Sequence, residues 1–106
     1  MLENIGNMMD VVKKVQTNVQ TIQSDLQNER LSASSGDVVT VTVNGQQDII
    51  SIELNEKYLT PDNKMLLQDL ITAATCNAIT KSRELNQSAM SKLASDLNLP
   101  NIPGLF

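Results

Sequence analysis

The sequence has 106 residues, enough for one domain, and 41% of them are hydrophobic although only 2% are aromatic. Its core must therefore consist of aliphatic side chains. Eight basic residues against twelve acidic ones give a net charge of −4, so binding to nucleic acid or to an anionic membrane would need a local basic patch. We see neither an apolar run long enough to span a membrane nor a signal peptide, so we expect a cytoplasmic protein without a membrane partner.

The first 28 residues have the apolar periodicity of a helix. Seven apolar residues recur at alternating intervals of three and four, the spacing of a heptad seam: Ile5, Met8, Val12, Val15, Val19, Ile22 and Leu26. Two interpretations of this stripe stay open. It packs on the sheet or second helix of its own chain, or it forms a seam with a second chain.

Residues 29–54 predict a three-stranded antiparallel meander. A short edge strand within 29–36 is followed by two runs of alternating apolar residues on either side of Asn44-Gly45, a pair that is typical of turns. We expect a four-residue loop, 44–47, which would place Val41 opposite Ile50.

A second helix is predicted from Pro61 to about residue 97, with Thr60 as its N-cap. Ala74 and Ala78 make its middle narrow, which would let another backbone approach closely. Beyond residue 81 the apolar stripe thins, and we expect Ser82 to be exposed on a half that projects or meets a partner. The domain then covers residues 1–98, and the Pro- and Gly-containing end, 99–106, is expected to be a flexible tail.

Residues that carry catalysis or bind metals are scarce in this chain. It has no His, which excludes Ser-His and Cys-His pairs as well as histidine metal sites, and its one cysteine is Cys76. Because Cys76 lies between two alanines of a helix, we interpret it as a small buried thiol. We expect no enzyme activity, no cofactor, no metal and no small-molecule substrate.

Three segments together resemble a known family. These are VTVNG at 41–45, LITAATCNA at 70–78 and PNIPGLF at 100–106, set in the predicted order helix, strands, helix, tail. In order and spacing they look like the YbaB/EbfC family of nucleoid-associated proteins, and the likeness spans almost the whole chain.

The resemblance implies an α+β protomer in an intertwined homodimer with projecting helices. It also implies cytoplasmic, nucleoid-associated binding of double-stranded DNA with little sequence specificity, and a role in nucleoid organisation or gene expression. Five basic residues lie outside the predicted apolar stripes and are the candidates for contacts with phosphate: Lys13, Lys14, Lys81, Arg83 and Lys92.

A second interpretation of the same helices is a dimeric scaffold or adaptor that binds protein partners. From the sequence alone, the basic residues are equally consistent with solvated helix faces. Phosphate binding weakens steeply with added salt whereas an apolar groove does not, so salt dependence separates the two interpretations.

Overall fold

The computed structural model describes residues 2–96, with side chains from residue 8 onward. Its elements are α1 (Leu2–Asn28), β1 (Leu31–Ser35), β2 (Val39–Val43), β3 (Ile49–Leu54), two 3₁₀ turns (Glu56–Tyr58 and Pro61–Asn63) and α2 (Lys64–Asp96). The α+β order of helix, three strands and long helix is confirmed. The tail predicted at 99–106 lies outside the described residues.

The three strands form an antiparallel sheet in the order β1-β2-β3, the predicted meander. Val39, Val41 and Val43 of β2 are buried, and α2 lies over β2 and β1 on that side. The other side carries hydroxyl groups paired across β1 and β2, with oxygens 2.9 Å apart in each pair: Ser32 with Thr42, and Ser34 with Thr40. The sheet therefore has one apolar and one polar face, as its alternating sequence requires.

The predicted register between β2 and β3 is wrong by two residues. Val41 lies opposite Ile52 rather than Ile50, and the loop has five residues, 44–48, instead of four. A register shift lies beside Val43, which pairs with Ile49 and leaves Ile50 as an extra residue on β3. Because the error is an even number of residues, Ile52 and Leu54 still share a face with the β2 valines as predicted, whereas the bulge leaves Ile50 unpaired and puts Ile49 opposite Val43.

The side chain of Asn44 explains the longer loop. Its Oδ1 accepts hydrogen bonds from the backbone N–H groups of Gln46 and Asp48, at 2.8 and 3.1 Å, and its Nδ2 donates to Asp48 Oδ2 at 3.0 Å. Asn44 is 2% exposed. The buried Asn44 amide thus holds together the five-residue loop 44–48. The presence of turn-forming residues in the sequence does not reveal this loop length.

The middle of α2 packs against the sheet through its smallest side chains. Ala74 and Ala78 are both 0% exposed and belong to the same core as the β2 valines, so their predicted burial is confirmed. Cys76 is exposed, so its interpretation as a buried thiol is wrong. Successive helical residues are about 100° apart, which turns Cys76 about 200° away from Ala74.

The N-terminal end of α2 also differs from the prediction. The α-helix begins at Lys64, after the 3₁₀ turn that contains Pro61, and the Thr60 side chain makes no capping hydrogen bond. Asn63 Nδ2 instead donates to the Tyr58 carbonyl at 3.0 Å and ties the two 3₁₀ turns together.

Ser82, expected to be exposed, is 0% exposed and anchors the loop between β2 and β3 to α2. Its hydroxyl donates to the Asn44 carbonyl at 2.6 Å and accepts from the backbone N–H and Nε2 of Gln47, at 3.0 and 3.1 Å. The prediction for Ser82 was wrong because the hydrogen-bond partners of its hydroxyl lie on Asn44 and Gln47, which are distant in sequence.

α1 and α2 pair in antiparallel directions. Ile22 and Leu26 share one groove with Leu85 and Ala89, while the preceding turn of α1 faces Lys92 and the end of α2. Leu26 is buried, so the C-terminal half of the α1 stripe packs on its own chain, as the first interpretation states. It also meets the half of α2 that was expected to project.

The N-terminal half of α1 has a different environment. Its described apolar residues are largely exposed: Met8 68%, Met9 57%, Val11 50% and Val12 53%. The fold thus consists of a sheet covered by α2 and a two-helix arm along which α1 continues beyond the described end of α2.

Candidate nucleic-acid interface

All five candidate basic residues lie on the two helices and are exposed: Lys13, Lys14, Lys81, Arg83 and Lys92. This placement agrees with the prediction that they lie outside the apolar stripes. The structure divides them into two groups, one on the two-helix arm and one beside the sheet.

The arm group consists of Lys13, Lys14 and Lys92. Asn18 on α1 and Lys92 on α2 line the same groove between the helices, which has a volume of about 390 Å³. Lys14 precedes Asn18 by four residues, which is one helical turn or about 6 Å along the axis. The antiparallel pairing therefore brings Lys14 of α1 and Lys92 of α2 to neighbouring turns of one arm, although they are 78 residues apart in the sequence.

Carboxylates limit the positive charge of this arm group. Asp96 lines the groove that contains Lys92, and Asp10 lies one turn before Lys13 and Lys14 on α1. The arm thus presents a modest excess of positive charge, which agrees with a chain whose net charge is −4.

Uncharged donors extend the arm surface between the lysines. Gln16 and Gln20 are exposed and Asn18 is half-buried beside Lys92. Amide side chains donate to phosphate oxygens, as lysine and arginine do. A role for Asn18 does not follow from the sequence alone, because its position next to Lys92 depends on how the two helices pair.

The sheet group consists of Lys81 and Arg83. Lys81 Nζ donates to the Ser32 carbonyl on the edge strand β1 at 2.8 Å. An ammonium group has three donors, so two remain for an outside acceptor. The same contact holds a charged side chain against the edge strand, and charged side chains are one way that edge strands are protected from pairing with other chains.

Other functional classes have little support in the described part of the chain. Within residues 2–96, no cluster of His, Cys, Asp or Glu has the geometry to hold a metal ion. Among the same residues, neither helix is apolar enough over sufficient length to span a membrane.

Comparison with known proteins gives a consistent result. Residues 1–97 match the model of the YbaB/EbfC DNA-binding family. A nucleoid-associated protein of Syntrophobacter fumaroxidans is 38% identical over 94% of this chain and 94% of its own length. Another, from Clostridium kluyveri, is 35% identical over 97% of this chain and 89% of its own.

A solved structure has the same fold. The crystal structure of the uncharacterized protein HP0035 from Helicobacter pylori superposes with a TM-score of 0.73 at 14% sequence identity, covering 88% of this chain and 96% of that one. At this identity the match is evidence for the fold alone.

Proposed function

This chain belongs to the YbaB/EbfC DNA-binding family, and from that membership we propose that it binds duplex DNA through the phosphate backbone with little sequence specificity. The family and the names of its relatives identify a nucleoid-associated DNA-binding protein. It is a DNA-binding family rather than an enzyme family, which confirms the expectation that the chain is not an enzyme.

The observation that carries the proposal is the arm group. Lys13, Lys14 and Lys92 are exposed on neighbouring turns of two paired helices, with Asn18 between them. Ammonium and amide donors on a long, narrow support suit a row of phosphates, which any duplex offers. Lys81 and Arg83 are a second contact on the sheet side, about 16 Å further along α2 when measured from Lys92 to Lys81.

Low specificity is supported by the kinds of element that the described residues form. Residues 2–96 contain two long helices and one meander, without a helix-turn-helix or a zinc finger. Contacts to phosphate carry no sequence information. We therefore expect similar affinity for unrelated duplexes of equal length and shape.

A homodimer is the second part of the proposal, and the apolar face of the sheet supports it. Side chains directly opposite each other on antiparallel strands share a face, so Ile52 and Leu54 point the same way as Val41 and Val39. Yet Ile49, Ile52 and Leu54 are 48%, 44% and 38% exposed. We call these three residues the β3 apolar surface.

The β3 apolar surface is open because α2 covers β1 and β2 and stops short of β3. Further apolar side chains are exposed on the connection to α2 and its first turn: Leu59 50%, Met65 74% and Leu66 43%. A group of exposed apolar side chains on a small chain suits an interaction site, and a second copy offers a surface of matching composition. Such a dimer carries two arms, which agrees with the homodimer with projecting helices that the family resemblance implies.

The proposal is tested by gel-shift titration of unrelated duplexes at two salt concentrations. Wild type is expected to shift every duplex at low salt. Lys14→Glu combined with Lys92→Glu should abolish the shift, and loss of each phosphate contact should flatten the log-log salt slope by roughly 0.9. Lys81→Glu combined with Arg83→Glu is expected to weaken binding less, because Lys81 already donates to Ser32.

The matched control is Lys57→Glu combined with Lys64→Glu, which changes net charge equally at exposed positions outside both groups. Because Leu59 and Met65 of the proposed dimer surface lie within two residues of these positions, sedimentation first establishes that the control has the association state of wild type. It should bind almost as wild type does. If it binds as weakly as the arm variant, overall charge rather than the arm group governs binding. Absence of any shift by wild type at low salt would favour the protein-binding scaffold instead.

A further inference from the structure

The exposed apolar part of α1 covers nearly half of the helix circumference. Met8, Met9, Val11 and Val12 are each at least 50% exposed. At about 100° per residue, their directions from the helix axis fall within an arc of about 160°. We call these four residues the α1 strip. An apolar surface of this width on a helix is typical of a contact with another element.

The α1 strip belongs to the part of the heptad stripe that the described part of α2 does not reach. Ile22 and Leu26, further along the stripe, share a groove with α2. The described part of α2 ends at Asp96, which lines one groove together with Asn18. Asn18 lies about 12 Å along the helix axis from Asp10, the residue at the centre of the strip. The two interpretations of the stripe therefore apply to different halves of α1, and the N-terminal half is open to another molecule.

The apolar positions of the α1 strip are symmetric about Asp10. Consider two copies of α1 that run antiparallel with their Asp10 residues at the same level. A residue before Asp10 in one copy is then level with the residue equally far after Asp10 in the other. Met8 is level with Val12 of the second copy, and Met9 with Val11 of the second copy. A two-fold contact requires such a self-matching surface, because each patch meets an identical patch.

Charged side chains do not oppose this pairing. Met8 and Val12 occupy the core positions of the heptad, and Met9 and Val11 flank them, so the seam contains apolar side chains at this level. Asp10 lies on the opposite side of the helix, and Lys14 lies beside it.

The two lysines of α1 also stay accessible in this pairing. Lys13 borders the strip, and its flexible stem can keep the ammonium group in water. Lys14 faces away from the seam, one turn after Asp10. Both lysines therefore remain available for the contacts with phosphate proposed above.

The lengths of the helices support the same pairing. α1 begins at Leu2, and in this arrangement Leu2 of the second copy is level with Asn18. The described part of α2 ends beside Asn18, at Asp96. Each α1 thus covers the length of the other that α2 leaves open, about 24 Å between residues 2 and 18. The two copies of α1 and their α2 helices therefore fit along one line without overlap.

We propose that the α1 strip binds the α1 strip of a second copy of this chain, in an antiparallel two-fold contact centred on Asp10. The strip contributes four residues per chain, whereas a stable interface has roughly 20–30 residues a side. The contact is therefore weak and forms at high protein concentration. It is separate from the β3 apolar surface and requires neither that surface nor DNA.

Methyl NMR of a mixed sample tests the contact directly. One set of chains, without ¹³C, carries a spin label on Asp10→Cys in a Cys76→Ala background. The other set, Cys76→Ala without a label, carries ¹³C-methyl methionine. The two sets are unfolded and refolded together and studied at high concentration without DNA. The label should broaden the Met8 and Met9 signals of the other chain, because Asp10 lies at the level of the strip centre.

Met65 is the internal control for this measurement. It is 74% exposed at the start of α2, about 47 Å along that helix from Asp96, so its methyl signal should stay sharp. Sharp Met8 and Met9 signals at the highest concentration would overturn the proposal. Equal broadening of all methionine signals would indicate non-specific association and would overturn it as well.

Two substitutions on α1 form a matched pair for the same experiment. Val12→Asp, introduced into both sets of chains, places carboxylates in the seam and should abolish the broadening. Thr17→Asp adds the same charge at an exposed position on the far side of the helix and should leave the broadening unchanged. Far-UV circular dichroism establishes that both variants keep their helices. Broadening that persists in Val12→Asp would contradict the proposed seam.

Sedimentation at increasing concentration separates this contact from the β3 apolar surface. Ile52→Asp is expected to be a monomer at low micromolar concentration and to associate through the α1 strip as its concentration rises. Adding Val12→Asp should hold the mass at that of one chain, whereas adding Thr17→Asp should not. A folded Ile52→Asp chain that remains a monomer at millimolar concentration would contradict the α1 contact and leave the β3 contact unaffected.

Discussion

The two halves of the sheet's apolar face differ in what covers them. The β2 half, represented by Val39, Val41 and Val43, is at most 1% exposed beneath α2, whereas the β3 apolar surface is 38–48% exposed. Both halves are aliphatic, and they lie side by side in one sheet. Hydrophobic alternation therefore identifies a face to be buried but not the molecule that buries it.

The same substitution in the two halves should give very different results. Val41 and Ile52 lie opposite each other on β2 and β3. Val41→Asp places an unpaired carboxylate in a fully buried site, which costs several kcal/mol, so we expect loss of the folded state. Ile52→Asp should leave the fold of one chain intact and remove only self-association. Far-UV circular dichroism during thermal unfolding provides the measurement.

Two other outcomes of this pair of variants would contradict the difference between the two halves. If Ile52→Asp unfolds the chain as completely as Val41→Asp does, the β3 half is needed for folding as well as assembly. If instead neither the fold nor the association state of Ile52→Asp changes, the β3 apolar surface has no partner.

A smaller effect is expected from filling the narrow contact between α2 and the sheet. Ala74→Leu adds volume to a site without free space and should lower the free energy of unfolding by about 1–3 kcal/mol. Its neighbour Ala73 is exposed on the same helix, so Ala73→Leu is the control and should be nearly neutral. Chemical denaturation of both variants measures the difference, and equal stabilities would show that the contact is loose.

A comparable or smaller loss is expected at the loop between β2 and β3. Ser82→Ala removes the donor to the Asn44 carbonyl, and it leaves the Gln47 backbone N–H without its acceptor. We expect a loss of about 1–3 kcal/mol, toward the lower end because half-buried Gln47 can meet water. Ser88→Ala, at an exposed position of α2, is the control for denaturant unfolding. Equal effects of the two changes would contradict the anchoring role.

Periodicity in the sequence was sufficient to predict the elements of this fold. The two helices, the meander and the burial of Ala74 and Ala78 follow from spacing that each segment carries within itself. The faces of β2 and of Ile52 and Leu54 on β3 were predicted correctly for the same reason, even though the register was wrong and the bulge at Ile50 was not predicted.

What the sequence could not predict depends on contacts between distant segments. Gly45 is an example, because it was interpreted through turn conformation. Its actual constraint is space: a Cβ there would lie 2.8 Å from the Leu26 carbonyl oxygen, which accepts the Gly45 N–H at 2.7 Å. The positive φ in the loop belongs to Gln47 instead, at 64°.

In the candidate site, too, local position could be predicted from the sequence, whereas contacts between distant segments could not. All five basic residues were predicted to lie on the surface from their positions relative to the stripes, and they do. Their separation into an arm group and a sheet group was not predicted, because it depends on the pairing of α1 with α2 and on the contact between Lys81 and Ser32.

Sedimentation equilibrium tests whether the uncovered half of the sheet binds a second copy. Wild type at low micromolar concentration is expected to have twice the 11.6 kDa chain mass. Ile52→Asp should sediment as a monomer, whereas Ser51→Asp, one residue away on the polar face, should remain a dimer. A folded wild-type monomer at that concentration, or a dimer that persists in Ile52→Asp, would contradict the account.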